Sequence, residues 1–367
     1  MRSEIALVHD YFIQMGGAEK VAQTFHDMFP QAPLYTTVDL RPGRPSNVQT
    51  SWMQRLPRHK EFYRQYFLLY PLAVESLDLS PYDLILSSTS GYAKGVRKKP
   101  GAVHVCYCHT PTRWVWRYQD YAAREKFGSL TRLALPGLLA GLKHWDRKAA
   151  QRPDYYLANS HYVAERIREV YGREAHVIPP PVDVERFSAD GPDEDYFLLL
   201  SRLVPYKRLD LAITACRRLG LPLVIIGDGP DRARLEQMAG PQTRFLGRQP
   251  DAVVNHYASR CRGLIFPGEE DFGLTPLEIN AAGRPVIAYR AGGALETVSE
   301  DVTGVYFDHP TVDSLSNALE NFINHEWHRP TIRRHAEKFS SSVFVARLRE
   351  FLSQVAPQSC PSLRAAA

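Results

Sequence analysis

His176-Val177-Ile178-Pro179-Pro180-Pro181-Val182-Asp183 ends one strand and interrupts the rhythm of the chain. Three consecutive prolines lack backbone N–H groups and have φ fixed by their rings. They fit neither a helix interior nor a central strand, and they read as a stiff extended link. A polar run follows, Ser188-Ala189-Asp190-Gly191-Pro192-Asp193-Glu194-Asp195, and then Phe197-Leu198-Leu199-Leu200 opens a second series of apolar runs. The chain has 367 residues, and single cores stop growing near about 250–300 residues. The link therefore predicts a boundary between two domains, 1–183 and 184–340, with a helical stretch at 341–356 and a small polar tail at 357–367.

On both sides of the link, short β runs alternate with amphipathic stretches, the pattern of βαβ units and parallel sheets. Before it, strands are predicted at 5–8, 34–37, 84–87, 103–106, 155–158 and 176–178, with helices at 18–28, 61–77, 138–150 and 162–170. After it, strands are predicted at 197–200, 223–226, 244–246, 263–266, 286–288 and 304–307. The helices there are predicted at 209–219, 231–238, 251–259, 276–282, 312–323 and 343–355. The expected fold class is α/β, two doubly wound Rossmann-like domains with a ligand cleft between the carboxyl ends of their sheets.

An apolar fraction of 44% and a charged fraction of 23% exclude disorder as the main state, and exclude collagen-like and disulfide-framework chains. The longest apolar stretch, 133–142, is shorter than the ~18–20 residues of a membrane span, and no basic-then-apolar leader opens the sequence. The five cysteines, Cys106, Cys108, Cys216, Cys261 and Cys360, form no Cys-x-x-Cys pair and read as reduced cytoplasmic thiols. Net charge is +5, unevenly spread: 24 basic against 17 acidic residues up to Asp183, and 21 against 23 beyond it. A basic first half suits anionic lipid or phosphate, and also an ordinary solvated surface.

Three features of the second half can converge on a nucleotide. Strand 197–200 leads into Ser201-Arg202-Leu203-Val204-Pro205-Tyr206-Lys207-Arg208, where Arg202 offers a fork and Lys207 a point charge to a diphosphate. Strand 263–266 leads into Pro267-Gly268-Glu269-Glu270-Asp271-Phe272-Gly273-Leu274-Thr275-Pro276-Leu277-Glu278. A helix start near Pro276 would direct the amides of Gly273, Leu274 and Thr275 at an anion. Glu278 would then reach both hydroxyls of a ribose, and Glu270 a sugar ring. The third feature is Ala291-Gly292-Gly293-Ala294-Leu295-Glu296, where two glycines permit close backbone approach. Gly227-Asp228-Gly229-Pro230 has Arg232 at the third glycine's place of a dinucleotide fingerprint, so it reads as a plain βα turn.

In the first half, strand 5–8 runs through His9-Asp10-Tyr11 to Gly16-Gly17-Ala18-Glu19 and a helix. Strand 103–106 runs through Tyr107-Cys108 to His109-Thr110-Pro111-Thr112-Arg113-Trp114-Val115-Trp116, placing a histidine at a strand exit before an aromatic and basic loop. Cys106, Cys108 and His109 lack a fourth ligand at zinc spacing. His9, Asp10, Tyr11, Arg113 and Trp114 are expected on the acceptor side.

Gly16-Gly17-x-Glu19, His109-Thr110-Pro111, Ile178 through Asp183, Arg202 with Lys207, and Glu270-x7-Glu278 enclosing Phe272-Gly273 together resemble a family 4 retaining glycosyltransferase of the GT-B fold. The resemblance covers the chain up to its tail. Tyr107-Cys108-His109-Thr110-Pro111 with Trp114 and Trp116 is most similar to bacterial polysaccharide mannosyltransferases. It implies an acceptor domain followed by a nucleotide-sugar donor domain, with the 341–356 helix returning to the first. Arg202 and Lys207 would hold the donor diphosphate and Glu278 the ribose. Glu270, Phe272 and the Gly273–Leu274–Thr275 backbone would hold the transferred sugar. His109 would touch the sugar near the reacting carbon, Gly16-Gly17 would close on the phosphates, and Gly247-Arg248-Gln249 would edge the base.

No Asp-x-Asp loop is present where a metal would sit, so no cofactor and no metal are expected, as the family implies. The resemblance also implies transfer of a hexose, mannose from GDP-mannose being the first choice, to a glycan or lipid-linked glycan. Alternatives are a UDP-sugar donor, an epimerase or hydrolase on the same architecture, and a non-catalytic nucleotide-sugar-binding subunit. No nucleic-acid partner is expected, because the basic residues lack an interleaved aromatic platform. Residues 55–70 set Arg55, Arg58, Lys60 and Arg64 with His59 beside five aromatics, with Lys94 to Lys99 as a second basic run. That mixture suits reversible docking on the cytoplasmic membrane surface, and also an ordinary helix whose aromatics pack on the first domain's sheet; the docking reading is the one expected.

Overall fold

The computed structural model describes residues 5–13, 16–116 and 129–357, so Cys360 and the rest of the expected tail beyond residue 357 lie outside it. The chain divides into two units, Met1–Pro179 with Val345–Ala367, and Pro180–Phe344. The first division falls inside the proline run. The second falls within the helix Ser341–Val355, whose Phe351 ring lies 5.9 Å from that of Tyr155 and 5.0 Å from that of His176.

The first unit contains a parallel sheet of seven described strands: β1 (Ile5–His9), β2 (Leu34–Thr36), β3 (Val48–Thr50), β4 (Leu84–Thr89), β5 (Val103–Cys108), β6 (Tyr155–Ala158) and β7 (His176–Val177). Their order across the sheet is β3-β2-β1-β4-β5-β6-β7, so the winding reverses between β1 and β4. Both strands at the reversal are buried along their whole length, which is why their apolar residues, 5–8 and 84–86, run on without alternation. Helix Gly17–Met28 covers the sheet with Val21, Ala22 and Phe25, spaced on one helical face. The register places His9 opposite Ser88.

Two features of this unit differ from the sequence reading. The strand β3 has only three residues, Val48-Gln49-Thr50, too few for alternation to be visible; pairing with β2 creates it. The helix expected over 61–77 is broken into His59–Phe62 and Tyr70–Glu75. Pro71 is the cause, since its ring excludes the carbonyl four residues back and it has no N–H to donate. The Phe67 carbonyl accepts instead from the Tyr92 hydroxyl at 3.0 Å.

The second unit contains a parallel sheet of six described strands: β8 (Phe197–Leu200), β9 (Leu223–Ile226), β10 (Thr243–Gly247), β11 (Gly263–Phe266), β12 (Val286–Tyr289) and β13 (Gly304–Phe307). Their order is β10-β9-β8-β11-β12-β13, with the reversal between β8 and β11. The α/β class expected from the sequence is the observed one, with two Rossmann-like parallel sheets. Helix Arg329–Glu337 was not legible because only Ile332 and Ala336 face inward among charged neighbours.

Candidate active site

In open α/β sheets a ligand crevice forms where the winding reverses, because the loops leaving the two neighbouring strands part in opposite directions. In the second unit, the loop after β8 carries Arg202 and Lys207, and the loop after β11 carries Glu270. Lys207 Nζ and Glu270 Oε1 form an ion pair. Their side chains are 12% and 23% exposed, open enough for both to meet a ligand. With Leu200, Ser201, Phe266 and Gly268 they line a concavity at this reversal. Arg202 is exposed, and its Nη2 donates to the Tyr206 hydroxyl at 3.2 Å.

Two glycines set the spacing of these loops. A Cβ on Gly268 would stand 2.8 Å from Lys207 Cα, so only glycine lets the two loops touch. A Cβ on Gly293 would stand 2.2 Å from Phe272 Cα, and the Gly293 N–H donates to the Glu270 carbonyl at 2.8 Å. The close approach foreseen at Gly292-Gly293 is thus made to the acidic loop's own backbone.

Helix Leu274–Ala281 begins two residues earlier than Pro276, with Gly273 as its N-cap. The amides of Gly273, Leu274 and Thr275 therefore lie at a helix start, the position that suits an anion. Glu278 is half-buried in the second turn. Phe272 was expected to contact a donor sugar, but its side chain is 4% exposed and belongs to the unit's core, with its ring 6.1 Å from Phe339. Only its backbone is available to a ligand. Gly247 ends β10, its carbonyl accepting from Gly227 N–H at 2.9 Å, and Arg248 beyond it is exposed.

The first unit brings three groups together at its own reversal. His9 ends β1, Ser88 lies in β4, and His109 follows β5. Ser88 Oγ is 2.8 Å from His109 Nε2 and 3.2 Å from His9 Nδ1. Burial lowers the His109 pKa to about 3, with His9 adding to the effect, so the ring is neutral near pH 7. Burial also lowers that of His9, against the pull of Asp10. Asn159 Nδ2 donates to the His109 carbonyl at 3.0 Å and fixes its main chain.

Asp10, expected on the acceptor side, has a different task. It is 3% exposed and accepts from Thr89 Oγ1 at 2.9 Å and from the N–H groups of Ser90, Tyr92 and Ala93 at 2.6, 2.8 and 2.6 Å. It shapes the loop after β4. Tyr11 is half-buried with its ring 5.6 Å from Tyr70, and Trp114 lies 5.5 Å from Phe67. Arg113 is half-buried beside it. Gly16 caps helix Gly17–Met28, its N–H donating to Glu19 Oε2 at 3.1 Å.

The loop carrying His109 is held by a network that the sequence did not announce. Lys94 and Asp146 are both 1% exposed, with Nζ 2.6 Å from Oδ1. The Asp146 carboxylate also accepts from Thr112 Oγ1 at 2.7 Å, Trp116 Nε1 at 2.7 Å and the Tyr171 hydroxyl at 2.8 Å. Lys94 was read as the start of a surface basic run, so that expectation is corrected. Arg97, Lys98 and Lys99 are paired as well, with Glu75, Asp154 and Asp83. A run of like charges carries no sign of which members find buried partners. Among the described residues, no group of three or more His, Cys, Asp or Glu side chains is arranged to hold a metal ion.

Two successive parallel sheets, each with a reversal of winding where candidate residues gather, define a class, and comparison with known proteins places the chain within it. The model of Glycosyltransferase Family 4 matches residues 15–186 and that of glycosyl transferases group 1 matches residues 183–339; the chain belongs to glycosyltransferase family 4. It is 31% identical over 210 residues to a GDP-mannose-dependent alpha-(1-6)-phosphatidylinositol monomannoside mannosyltransferase of Mycobacterium tuberculosis, covering 48% of this chain and 54% of that one. It is 27% identical over 245 residues to the human alpha-1,3/1,6-mannosyltransferase ALG2, covering 55% and 59%. The matched stretch is thus little more than half the length of these curated relatives. Among solved structures, the Anabaena protein HepE in complex with UDP and glucose superposes with a TM-score of 0.69 at 17% identity, covering 96% of this chain and 100% of that one. That likeness establishes the fold, which is the GT-B type expected.

Proposed function

We propose that the protein transfers a hexose, mannose from GDP-mannose, with retention of configuration, to a glycan or lipid-linked glycan. The observation that carries this reading is the Lys207–Glu270 pair at the winding reversal of the second sheet, beside Arg202 and the helix start at Leu274. When the sugar–phosphate bond breaks, its electron pair goes to the departing diphosphate. Lys207, Arg202 and the helix-start amides stand where that charge grows, and preorganised donors of this kind are typically worth ~2.7–4 kcal/mol each. Glu278 takes the ribose, Glu270 the transferred sugar, and the loop at Gly247-Arg248 the base. An acceptor hydroxyl attacks the same face, and its proton passes to the leaving phosphate. No metal is required in this scheme.

GDP-mannose is supported by the names of the mycobacterial relatives. The UDP complex of HepE supports the second reading, the same transferase with a UDP-sugar. Turnover on a panel of GDP-mannose, UDP-glucose and ADP-glucose in EDTA, with the product anomer assigned by NMR, separates them. The expected result is release of GDP with an α-linked mannoside. Activity only with added magnesium or manganese, an inverted product, or nucleotide release with no acceptor consumed would refute the proposal.

The protein is further proposed to work at the cytoplasmic leaflet. No described helix is long and apolar enough to cross a membrane. Around residues 55–70, Arg55, Arg58, Lys60 and Arg64 are exposed, and Trp52, Leu68 and Leu72 are 39%, 39% and 61% exposed beside them. Cations next to protruding apolar side chains match an anionic bilayer surface, each contributing ~1 kcal/mol there. Sedimentation with anionic vesicles should require the anionic lipid, fall with salt, and drop when Arg58, Lys60 and Arg64 are changed to Ser. Wild-type protein left in the supernatant at low salt would argue for a soluble acceptor.

A further inference from the structure

The chain Ser88–His109 has a direction that its partners fix. His9 Nδ1 lies 3.1 Å from the Ser88 carbonyl oxygen, which can only accept, so Nδ1 carries a proton and donates. The same N–H reaches Ser88 Oγ at 3.2 Å, occupying a lone pair of the hydroxyl. Ser88 has one proton to give and two acceptors in reach: His109 Nε2 at 2.8 Å and the Ala18 carbonyl at 3.5 Å. The shorter contact takes it. Ser88 is fully buried, so water does not compete for it. A histidine whose Nε2 accepts is neutral and bears its proton on Nδ1. The depressed pKa of His109 agrees, since burial keeps a second proton off the ring.

We propose that Ser88 is a positioning residue: its hydroxyl, oriented by His9, holds His109 as the Nδ1–H tautomer, so that the ring offers the substrate a hydrogen-bond donor and not a base. This rests on the reading that His109 serves the transfer reaction. It assigns His109 a task the sequence left open, that of gripping a sugar oxygen while taking up no proton. Partners that fix the tautomer of metal-ligating histidines typically matter by about 10–100-fold when removed, and that precedent sets the scale expected here.

The test uses the full chain labelled with 15N-histidine, with long-range 1H–15N spectra assigned by a His109→Gln variant. The wild type should show His109 protonated at Nδ1 with a bare Nε2. Ser88→Ala should shift it toward the Nε2–H form and lower kcat roughly tenfold, with KM for the donor changed less than about twofold. Ser88→Thr, which keeps the hydroxyl, should restore the wild-type pattern, and its thermal melt shows whether the added methyl is accommodated. A wild-type His109 protonated at Nε2, or a Ser88→Ala spectrum with the His109 pattern unchanged, overturns the proposal. Full activity in His109→Ala overturns instead the reading beneath it, whatever the spectra show.

Discussion

Asp146→Ala should destabilise the first unit by about 3–5 kcal/mol, the usual result of stripping one partner from a buried ion pair. Lys94 would remain almost fully buried with no carboxylate, and Thr112, Trp116 and Tyr171 would each lose an acceptor. For a unit of this size, such a loss lowers Tm by on the order of 10 °C. The melt is followed by tryptophan fluorescence, since Trp116 itself donates to Asp146. The Lys94→Met/Asp146→Leu double variant should recover only the part due to the stranded ammonium, because Thr112, Trp116 and Tyr171 still lack the Asp146 acceptor. A single variant melting within about 2 °C of wild type would show that the network does not hold the loop.

Lys207→Ala should lower turnover by ~10²-fold or more, each tenfold being ~1.4 kcal/mol of barrier. The fold should lose less than the roughly 3–5 kcal/mol of breaking a fully buried pair, because both side chains keep some contact with solvent. The pairing with Glu270 adds a second expectation. Without Lys207, the Glu270 carboxylate faces an incoming diphosphate uncompensated, so Lys207→Ala should also weaken nucleoside diphosphate binding in titration calorimetry. Adding Glu270→Gln to Lys207→Ala should restore part of that affinity, making the two changes non-additive. Wild-type turnover in Lys207→Ala would remove Lys207 from the site. Additive losses would mean that the pair is incidental.

How much of this was legible depends on the range over which each signal acts. Strands such as 197–200, 223–226 and 263–266 are dense apolar runs in a parallel sheet, and local composition suffices to find them. The helix at 61–77 was misjudged because its apolar spacing persists through Pro71, while the missing N–H decides against it. Arg202, Lys207, Glu270 and Glu278 stood out because strand-to-helix loops keep their chemistry local in sequence. Ser88 did not stand out. It is 79 residues from His9, and only the β1–β4 register sets them face to face. Asp10 and Phe272 were located but misassigned, since a motif shows where a residue falls and not which way its side chain turns.

The reversal of winding in each sheet has a consequence for how the molecule is made. His9 meets Ser88 through β1 and β4, and Lys207 meets Glu270 through β8 and β11. Each pair of strands is adjacent in space and distant in the chain. Closing such long loops is entropically slow compared with forming a local helix. Both constellations therefore arise only with long-range strand pairing, and neither can be assembled on a partly synthesised chain that lacks β4 or β11. A nascent protein of this design acquires its helices early and its reactivity late, so incomplete chains should have no competence to consume activated sugar.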